Sequence, residues 1–230
     1  MTMTDNRQNT VIGTRQLRRE DPALLTGEAK FTNDLNLPGA LHLSILRSPH
    51  AHAKIVSIDT AAAKASPGVV AVYTGAELQS QWAGPMPCAW PVTPDMKNPP
   101  HFPLAASKVC YVGDGVVAVL ATSESASRDA LDLIDVEYKV LKAVVDVEEA
   151  LSDANIIHED LGTNKSYTWP LLVEETPGCV EEAFKKAKYT VSERYVQQRL
   201  LPMAMEPRAI AAVPQPFGGD ITLYSATQVP

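Results

Sequence analysis

The sequence predicts an α+β protein in which antiparallel strands and short helices form two successive regions. Residues 41–46 (LHLSIL) follow the period of two that indicates a strand with one face more buried than the other. Residues 116–121 (VVAVLA) are continuously apolar, which indicates an inner strand, and a helix capped by Thr122 or Ser123 follows them. Beyond residue 176, a helix followed by strands indicates a second α+β unit.

The first region, residues 15–150, follows a polar lead at residues 1–14 that we expect to be flexible. Asp21-Pro22 begins a short helix, because proline suits the first helical position, and Gly27 ends it. The further predicted elements are strands at 52–59, 69–73 and 136–140, a helix at 61–65 capped by Thr60, and a short helix within 144–151. These elements predict one mixed domain.

A proline-rich loop at residues 79–103 interrupts this region. Its recurrent prolines exclude a regular helix or a central strand. The loop also contains Trp82, Trp90 and Phe102, and two interpretations of these rings stay open. Either exposed rings form a partner contact or a substrate funnel, or the rings pin the long loop to its own domain.

The second region, residues 151–230, begins with a weakly patterned link at 152–176. Thr176-Pro177 then begins a helix in which glutamates come early and lysines late, as the helix dipole favours. Strands are predicted at 189–200, 208–213 and 220–225, with a turn around Phe217-Gly218-Gly219 between the last two.

Charge and hydropathy exclude several classes of protein. The formal net charge of -7 argues against a surface for nucleic acid or anionic membranes, since no basic run offsets the acidity. No apolar stretch approaches the roughly 20 residues that span a bilayer. The polar N-terminus lacks the apolar core of a secretory signal. We therefore expect a cytoplasmic protein.

The three cysteines agree with a reducing compartment. Cys88, Cys110 and Cys179 lie far apart, and none forms a CxxC pair. This spacing supports neither a disulfide framework nor a zinc or iron–sulfur site. We expect the chain to hold no metal through its own thiols.

Few other residues are candidates for chemistry. His50 and His52 are two apart and would face the same side of a strand, which is a possible metal pair, but no third ligand has a compelling spacing. Three aspartates lie beside turns, and we expect them to be caps. The aspartates are Asp21, Asp34 and Asp59. The sequence Gly113-Asp114-Gly115 indicates a tight turn.

Glu206, in the sequence MEPRA, has two interpretations. It could be an acid or base with a raised pKa, or a partly buried structural carboxylate that pairs with an arginine. We favour the structural role.

Seven segments of the sequence are similar to segments of known proteins, and they occur here in the same order and at plausible spacings. They are RREDPALLTGEAKFTND (18–34), RSPHAHAKIVSID (47–59), PGVVAVYTG (67–75), KVCYVGDGVVAVLA (108–121), SRDALDLIDVEY (127–138), QRLLPMAMEPRAIAA (198–212) and SATQVP (225–230). Together they resemble the large, molybdenum-binding subunit of the xanthine dehydrogenase, aldehyde oxidase and carbon monoxide dehydrogenase family. The resemblance extends over nearly the whole chain.

The resemblance implies an α/β-hammerhead domain over residues 15–150 and the N-terminal part of a molybdopterin-binding domain over residues 151–230. In this family, a glutamine after a strand lies beside the molybdenum centre, where its amide can hydrogen-bond a metal-bound oxygen. Thr227-Gln228 matches that pattern, so Gln228 is the one cofactor-binding residue that the resemblance implies. An ordinary glutamine at a chain end is the alternative. No catalytic residue and no metal ligand is assigned to this chain.

The resemblance also implies partners and a reaction. The complete assembly would contain a molybdenum–molybdopterin cofactor, with [2Fe-2S] clusters in a small subunit and FAD in a medium subunit. It would oxidise an aldehyde, carbon monoxide or an N-heterocycle with water as the oxygen source. No nucleic acid and no membrane span are expected.

The family's large subunits are several times longer than 230 residues, and their downstream Phe-Gly segment and late catalytic glutamate are not in this sequence. We therefore expect the chain alone not to turn over substrate, and a second chain completing the large subunit is one expectation. The alternative is a non-catalytic structural or subunit-interaction module from a truncated or split large subunit.

Overall fold

The computed structural model describes residues 12–88, 90–169 and 178–227. The chain forms two compact units, one of Gly39–Val191 and one of Met1–Pro38 with Ser192–Pro230. The helices are α1 (Asp21–Thr26), α2 (Ala61–Lys64), α3 (Gly75–Leu78), α4 (Glu124–Asp129), α5 (Val147–Leu151) and α6 (Cys179–Lys186). The strands are β1 (His42–Arg47), β2 (Ala53–Asp59), β3 (Val69–Thr74), β4 (Lys108–Val109), β5 (Gly115–Ala121), β6 (Asp135–Val140), β7 (Ile210–Pro214) and β8 (Ile221–Ser225).

The first sheet of the larger unit has the strand order β1-β5-β3, and both pairings are antiparallel. β5 is the central strand, which confirms the inner strand predicted from its apolar run. Val117 and Val119 are fully buried on this strand. On β1 the face of Ser44 and Leu46 is the more buried one, whereas Leu43 on the opposite face is 58% exposed.

The second sheet has the order β4-β2-β6, also antiparallel, and shares one core with the first. Ala53 of β2 and Val109 of β4 are fully buried there beside Val117 and Val119. Ala63 of α2 joins them, so short helices cover the same core. This arrangement places the predicted strands 52–59, 69–73 and 136–140 in two sheets of one unit.

Helix caps follow the sequence with two exceptions. The prediction that Asp21 is a cap is wrong, because it is the first residue of α1 and no side chain caps that helix. Ser123 caps α4, since its hydroxyl accepts a hydrogen bond from the backbone N–H of Ala126 at 3.2 Å. The prediction that Thr60 caps α2 is wrong, because its side chain makes no capping hydrogen bond. Asp59 replaces it: its carboxylate accepts from the N–H of Ala61 at 2.9 Å.

In the smaller unit, α1 begins with Pro22 in its first turn and ends at Gly27, whose φ of 74° is the left-handed conformation that glycine adopts readily. β7 and β8 form an antiparallel hairpin, which confirms two predicted strands. Gly218 and Gly219 adopt positive φ in the connecting turn, as the sequence Phe217-Gly218-Gly219 predicts.

The strand predicted at 189–200 is wrong. Among the described residues, the chain between α6 and β7 has no regular structure, and its large apolar side chains are exposed. A strand requires a neighbouring strand for its backbone hydrogen bonds, and no described strand pairs with these residues. The helix predicted after Thr176-Pro177 is present as α6, although these two residues lie outside the described part of the chain.

Candidate functional site

One cleft of the larger unit has a volume of about 500 Å³. The proline-rich loop provides one wall, with Pro99, Pro100 and Phe102, and Leu104 follows them. Cys110 and His158 line the cleft, although they are far apart in the sequence. The volume is in the range of small-molecule pockets.

Burial keeps three ionisable groups of this cleft uncharged, those of His158, Cys110 and Tyr111. The pKa of His158 is lowered, first by burial and then by the positive charge of Lys108. Burial is also the largest cause of the raised pKa of the Cys110 thiol and of the Tyr111 phenol. The Cys110 thiol and the Tyr111 phenol are therefore protonated and weakly nucleophilic at neutral pH.

Lys108 is fixed at the edge of the cleft. Its ammonium group donates to the backbone carbonyl of Ile157 at 2.6 Å and to the carboxylate of Glu159. The bond to Lys108 is the largest cause of the lowered pKa of Glu159. Because the ammonium group has these partners, the cleft has the character of a structural junction rather than an anion site.

The aromatic rings of the proline-rich loop differ in their surroundings. Trp82 stacks on Phe102, with ring centroids 5.4 Å apart and planes 15° apart, so this ring pins the loop to itself. Lys97 and Ser166 exchange two hydrogen bonds, of 2.9 and 2.7 Å, which attach the loop to the link after α5. Trp90, by contrast, is 86% exposed.

His50 and His52 have structural contacts. The ring of His50 packs edge-on against Tyr138, with centroids 5.0 Å apart. His52 is 5% exposed, and its Nδ1 lies 2.9 Å from the carbonyl of Lys142, so Nδ1 carries the proton and donates. No group of three or more metal-binding side chains occurs in residues 12–88, 90–169 and 178–227.

The sequence Gly113-Asp114-Gly115 forms the predicted tight turn. Asp114 is 5% exposed, and its carboxylate accepts from the N–H of Cys110 at 3.1 Å. Ser48 exchanges two backbone hydrogen bonds with this turn, each 2.8 Å long. Asp34 also has the predicted capping role, since its carboxylate accepts from the N–H of Phe31 at 2.9 Å.

Glu206 is half-buried in the smaller unit and contacts Thr32. Its carboxylate accepts from the backbone N–H of Thr32 at 3.3 Å and from the hydroxyl at 3.5 Å. The contact joins the segment before β7 to the 3-10 turn at Thr32–Asp34. This geometry favours the structural role, although the partner is a threonine and not an arginine.

Gln228 lies outside the described residues. The preceding strand β8 ends at Ser225, and the N–H of Ala226 continues the ladder to the carbonyl of Ala209 at 3.2 Å. The structure therefore shows a strand directly before the Thr227-Gln228 pair and leaves the glutamine a prediction.

Two family profiles match the chain in succession. Residues 26–142 match the profile described as "Aldehyde oxidase and xanthine dehydrogenase, a/b hammerhead domain", and residues 145–230 match "Molybdopterin cofactor-binding domain". The fold is thus that of a hammerhead domain followed by the start of a cofactor-binding domain. The chain belongs to the aldehyde oxidase and xanthine dehydrogenase family.

Its relatives are large molybdenum-enzyme subunits. It is 36% identical to the nicotine 6-hydroxylase large subunit of Paenarthrobacter nicotinovorans over 96% of this chain, and 30% identical to the carbon monoxide dehydrogenase large chain of Afipia carboxidovorans over 95%. It spans only 26% and 27% of those two proteins. Quinoline 2-oxidoreductase from Pseudomonas putida 86 superposes with a TM-score of 0.81 at 34% identity, covering 94% of this chain and 27% of that one.

No group of three or more metal-binding side chains occurs among the described residues. The lining of the 500 Å³ cleft includes Asp114 and Asp160 beside His158, Cys110 and Lys108. Gln228, the one residue predicted to contact the cofactor, follows the last described strand. The cofactor prediction for this chain therefore stays with Gln228.

Proposed function

We propose that this chain is the N-terminal part of the large subunit of a molybdenum-cofactor-dependent hydroxylase or dehydrogenase. The observation that carries the proposal is the succession of the two profiles, which together cover residues 26–142 and 145–230. The superposition on quinoline 2-oxidoreductase over 94% of the chain supports it. The chain contributes a scaffold and one edge of the cofactor site, and the complete assembly carries out the reaction.

The substrate proposed for the assembly is an aldehyde, carbon monoxide or an N-heterocycle, with water as the oxygen source. Relatives are named for nicotine, quinoline and carbon monoxide, which supports this range. When bound, the molybdenum cofactor supplies the two-electron oxidation. We propose iron–sulfur and FAD-binding subunits as the partners that accept the electrons, and a cytoplasmic location.

The larger unit is proposed to act as a rigid support. Its central strand β5 is buried within one core shared by two sheets, and in its cleft His158 and Cys110 are uncharged and Lys108 is paired. These observations also favour the second candidate function, a non-catalytic structural or subunit-interaction module. The two candidates differ in whether molybdenum accompanies the chain in its native assembly.

The test is metal and pterin analysis of the protein purified under native conditions from its source, with mass spectrometry of the polypeptides that co-purify. We expect molybdenum and pterin together with a polypeptide that carries the rest of a large subunit. The absence of both from the native complex would refute the enzyme proposal and leave the structural module.

Gln228 is proposed to donate a hydrogen bond from its amide to the cofactor. We expect Gln228→Ala to lower the kcat of the complete enzyme by about 10–100-fold while its molybdenum content is unchanged, because such supporting contacts have effects of this size. Gln215→Ala is the matched control: this glutamine lies at the other end of the hairpin and bonds the hydroxyl of Thr222 at 2.6 Å. Equal kcat values for the two variants would contradict the assignment.

A further inference from the structure

The hairpin of β7 and β8 has one apolar face that no described residue covers. The register pairs Ala212 with Leu223 and Pro214 with Ile221, so these four side chains lie on the same face. Ile210, at the other end of that face, is 71% exposed, and Ile221 and Leu223 are 66% and 61% exposed. Ser225 pairs with Ile210 on this face and is polar but uncharged, whereas the other five residues are apolar.

The opposite face of the hairpin is partly packed. Ala211, Val213 and Thr222 are half-buried on it, and Tyr224, which pairs with Ala211, is 43% exposed. The smaller unit therefore uses one side of its hairpin internally and leaves the other to water. A two-stranded hairpin with one covered face is marginal by itself, which indicates that the open face has an occupant.

The segment before the hairpin is exposed in the same way. Residues 192–209 have no regular structure, and the apolar side chains along them are exposed by 76% to 86%. These residues are Tyr195, Val196, Leu200, Leu201, Met203 and Met205. An extended segment exposed to this degree can be buried only by neighbours on several sides, as in the interior of a domain.

From these observations we infer that the open face of the hairpin, together with residues 195–205, is the docking surface for the polypeptide region that follows in the relatives. The inference rests on the proposed function. This chain spans about a quarter of those relatives, and residues 192–227 belong to the region that matches the cofactor-binding domain. The occupant is thus the later part of that same domain, either continuous with this chain or supplied by a separate one.

A second copy of the chain fits less well. A twofold contact between two hairpins would cover one face of each, since the same patch faces itself across the axis. It would leave the extended segment 195–205 exposed on its other sides. A polypeptide that packs over the hairpin and around the segment buries both, and the uncharged hairpin face matches an apolar domain interior.

The first experiment replaces two residues of the open face by charged ones. Ile221→Glu with Leu223→Glu should lower the recovery of the native complex by about tenfold or more, because a charge buried against an apolar surface is strongly unfavourable. Val145→Glu with Val147→Glu is the matched control, since these residues are also two apart and are 86% and 76% exposed in the larger unit. Equal recovery of both variants would overturn the inference.

The second experiment identifies the occupant. A photoreactive benzoylphenylalanine replaces Leu223 in the protein produced in its native host, and the cross-linked peptides are sequenced after irradiation. We expect cross-links to a region similar in sequence to the later part of the relatives' cofactor-binding domain. Cross-links to residues 1–230 of a second copy, to an iron–sulfur or flavin subunit, or to nothing would each overturn the inference.

Molybdenum content of the same preparation separates this inference from the proposed function. Molybdenum with cross-links to another surface refutes the docking surface alone. A native complex that contains the later domain but no molybdenum or pterin refutes the enzyme proposal, whereas the docking surface still stands.

Discussion

His158 shows how a single residue acquires its properties from the fold. It lines two cavities of the larger unit, of about 500 and 290 Å³, and burial is the main cause of its lowered pKa. Lys108 lowers that pKa further, whereas Asp160 and Glu159 oppose the shift. The net result is a neutral imidazole in the folded protein at neutral pH.

The free energy of unfolding should therefore fall as the pH decreases through the ordinary histidine pKa of 6.5. In this interval the unfolded chain binds a proton at His158 and the folded chain does not, so protonation favours unfolding. We expect a smaller decrease between pH 7.5 and 5.5 for His158→Gln than for the wild type. Urea unfolding at the two pH values provides the measurement.

Three carboxylates with lowered pKa values also make stability depend on pH, but in a more acidic range than His158. The pKa values of Glu77, Asp153 and Glu159 are all lowered, with hydrogen bonds as the largest cause in each case. Their contribution to stability is present above their ordinary values of 4.5 or 3.8 and is lost below them. A wild-type decrease that His158→Gln leaves unchanged would contradict the role given to the histidine.

Two residue-level predictions had different outcomes for one reason. Asp34 has its predicted capping role because a cap bonds a backbone group three residues away. Glu206 contacts Thr32, which is 174 residues away in the sequence. Local spacing therefore predicts the first contact, and only the folded chain could bring the second pair together.

At the scale of elements, Gly75 marks a close approach between α3 and the segment after the proline-rich loop. A Cβ atom at this position would lie 2.4 Å from the backbone oxygen of Ala105 and 2.9 Å from the nitrogen of Ala106. These are backbone atoms, so the segment would have to move as a whole. Close packing of the two elements requires glycine here.

We expect Gly75→Ala to lower the free energy of unfolding by about 1–3 kcal/mol, the usual effect of overpacking a filled site. The effect would occur although alanine is the better helix former. Gly84→Ala is the control, since a Cβ at Gly84 meets nothing within 4 Å, and its effect should stay within about 0.5 kcal/mol. Chemical denaturation of both variants measures the difference, and similar values for the two would show that the segment yields without strain.

Elements with strong local patterns were predictable from the sequence. The apolar run that became β5, the Ser123 cap of α4 and the glycine turn between β7 and β8 were all confirmed. The segment 189–200 has an apolar, β-prone pattern of its own, yet no described strand pairs with it. The pattern shows that the segment can form a strand, but a strand forms only where a second strand pairs with it.

At the scale of the whole chain, the two units differ in how completely they bury their apolar residues. The larger unit contains the fully buried Val116, Val117 and Val119 of β5. In the smaller unit, Ile210 and Leu223 remain largely exposed. Stability is therefore expected to be unequal along the chain and lower in the smaller unit.

Hydrogen exchange should report this inequality directly. In the isolated chain, we expect the amides of β5 to exchange slowest and those of β7 and β8 to exchange much faster. In the native assembly, the amides of the hairpin and of residues 195–201 should slow by about tenfold or more, as burial and strand pairing remove opening reactions. Hairpin amides that are as protected as β5 in the isolated chain would contradict the incomplete burial described above.

The sequence alone determined the class of fold and most element positions, because periodicity, caps and glycine turns act over a few residues. Its resemblance to a molybdenum-enzyme family rested on seven quoted segments, and the two family profiles confirm it. Only the tertiary structure decided that His158 is held neutral, that Gly75 faces Ala105, that Glu206 bonds Thr32 and that one face of the β7–β8 hairpin stays open. Each of these properties depends on burial or on contact between residues distant in the chain. Burial and distant contacts are set when the elements pack, and no local pattern in the sequence specifies them.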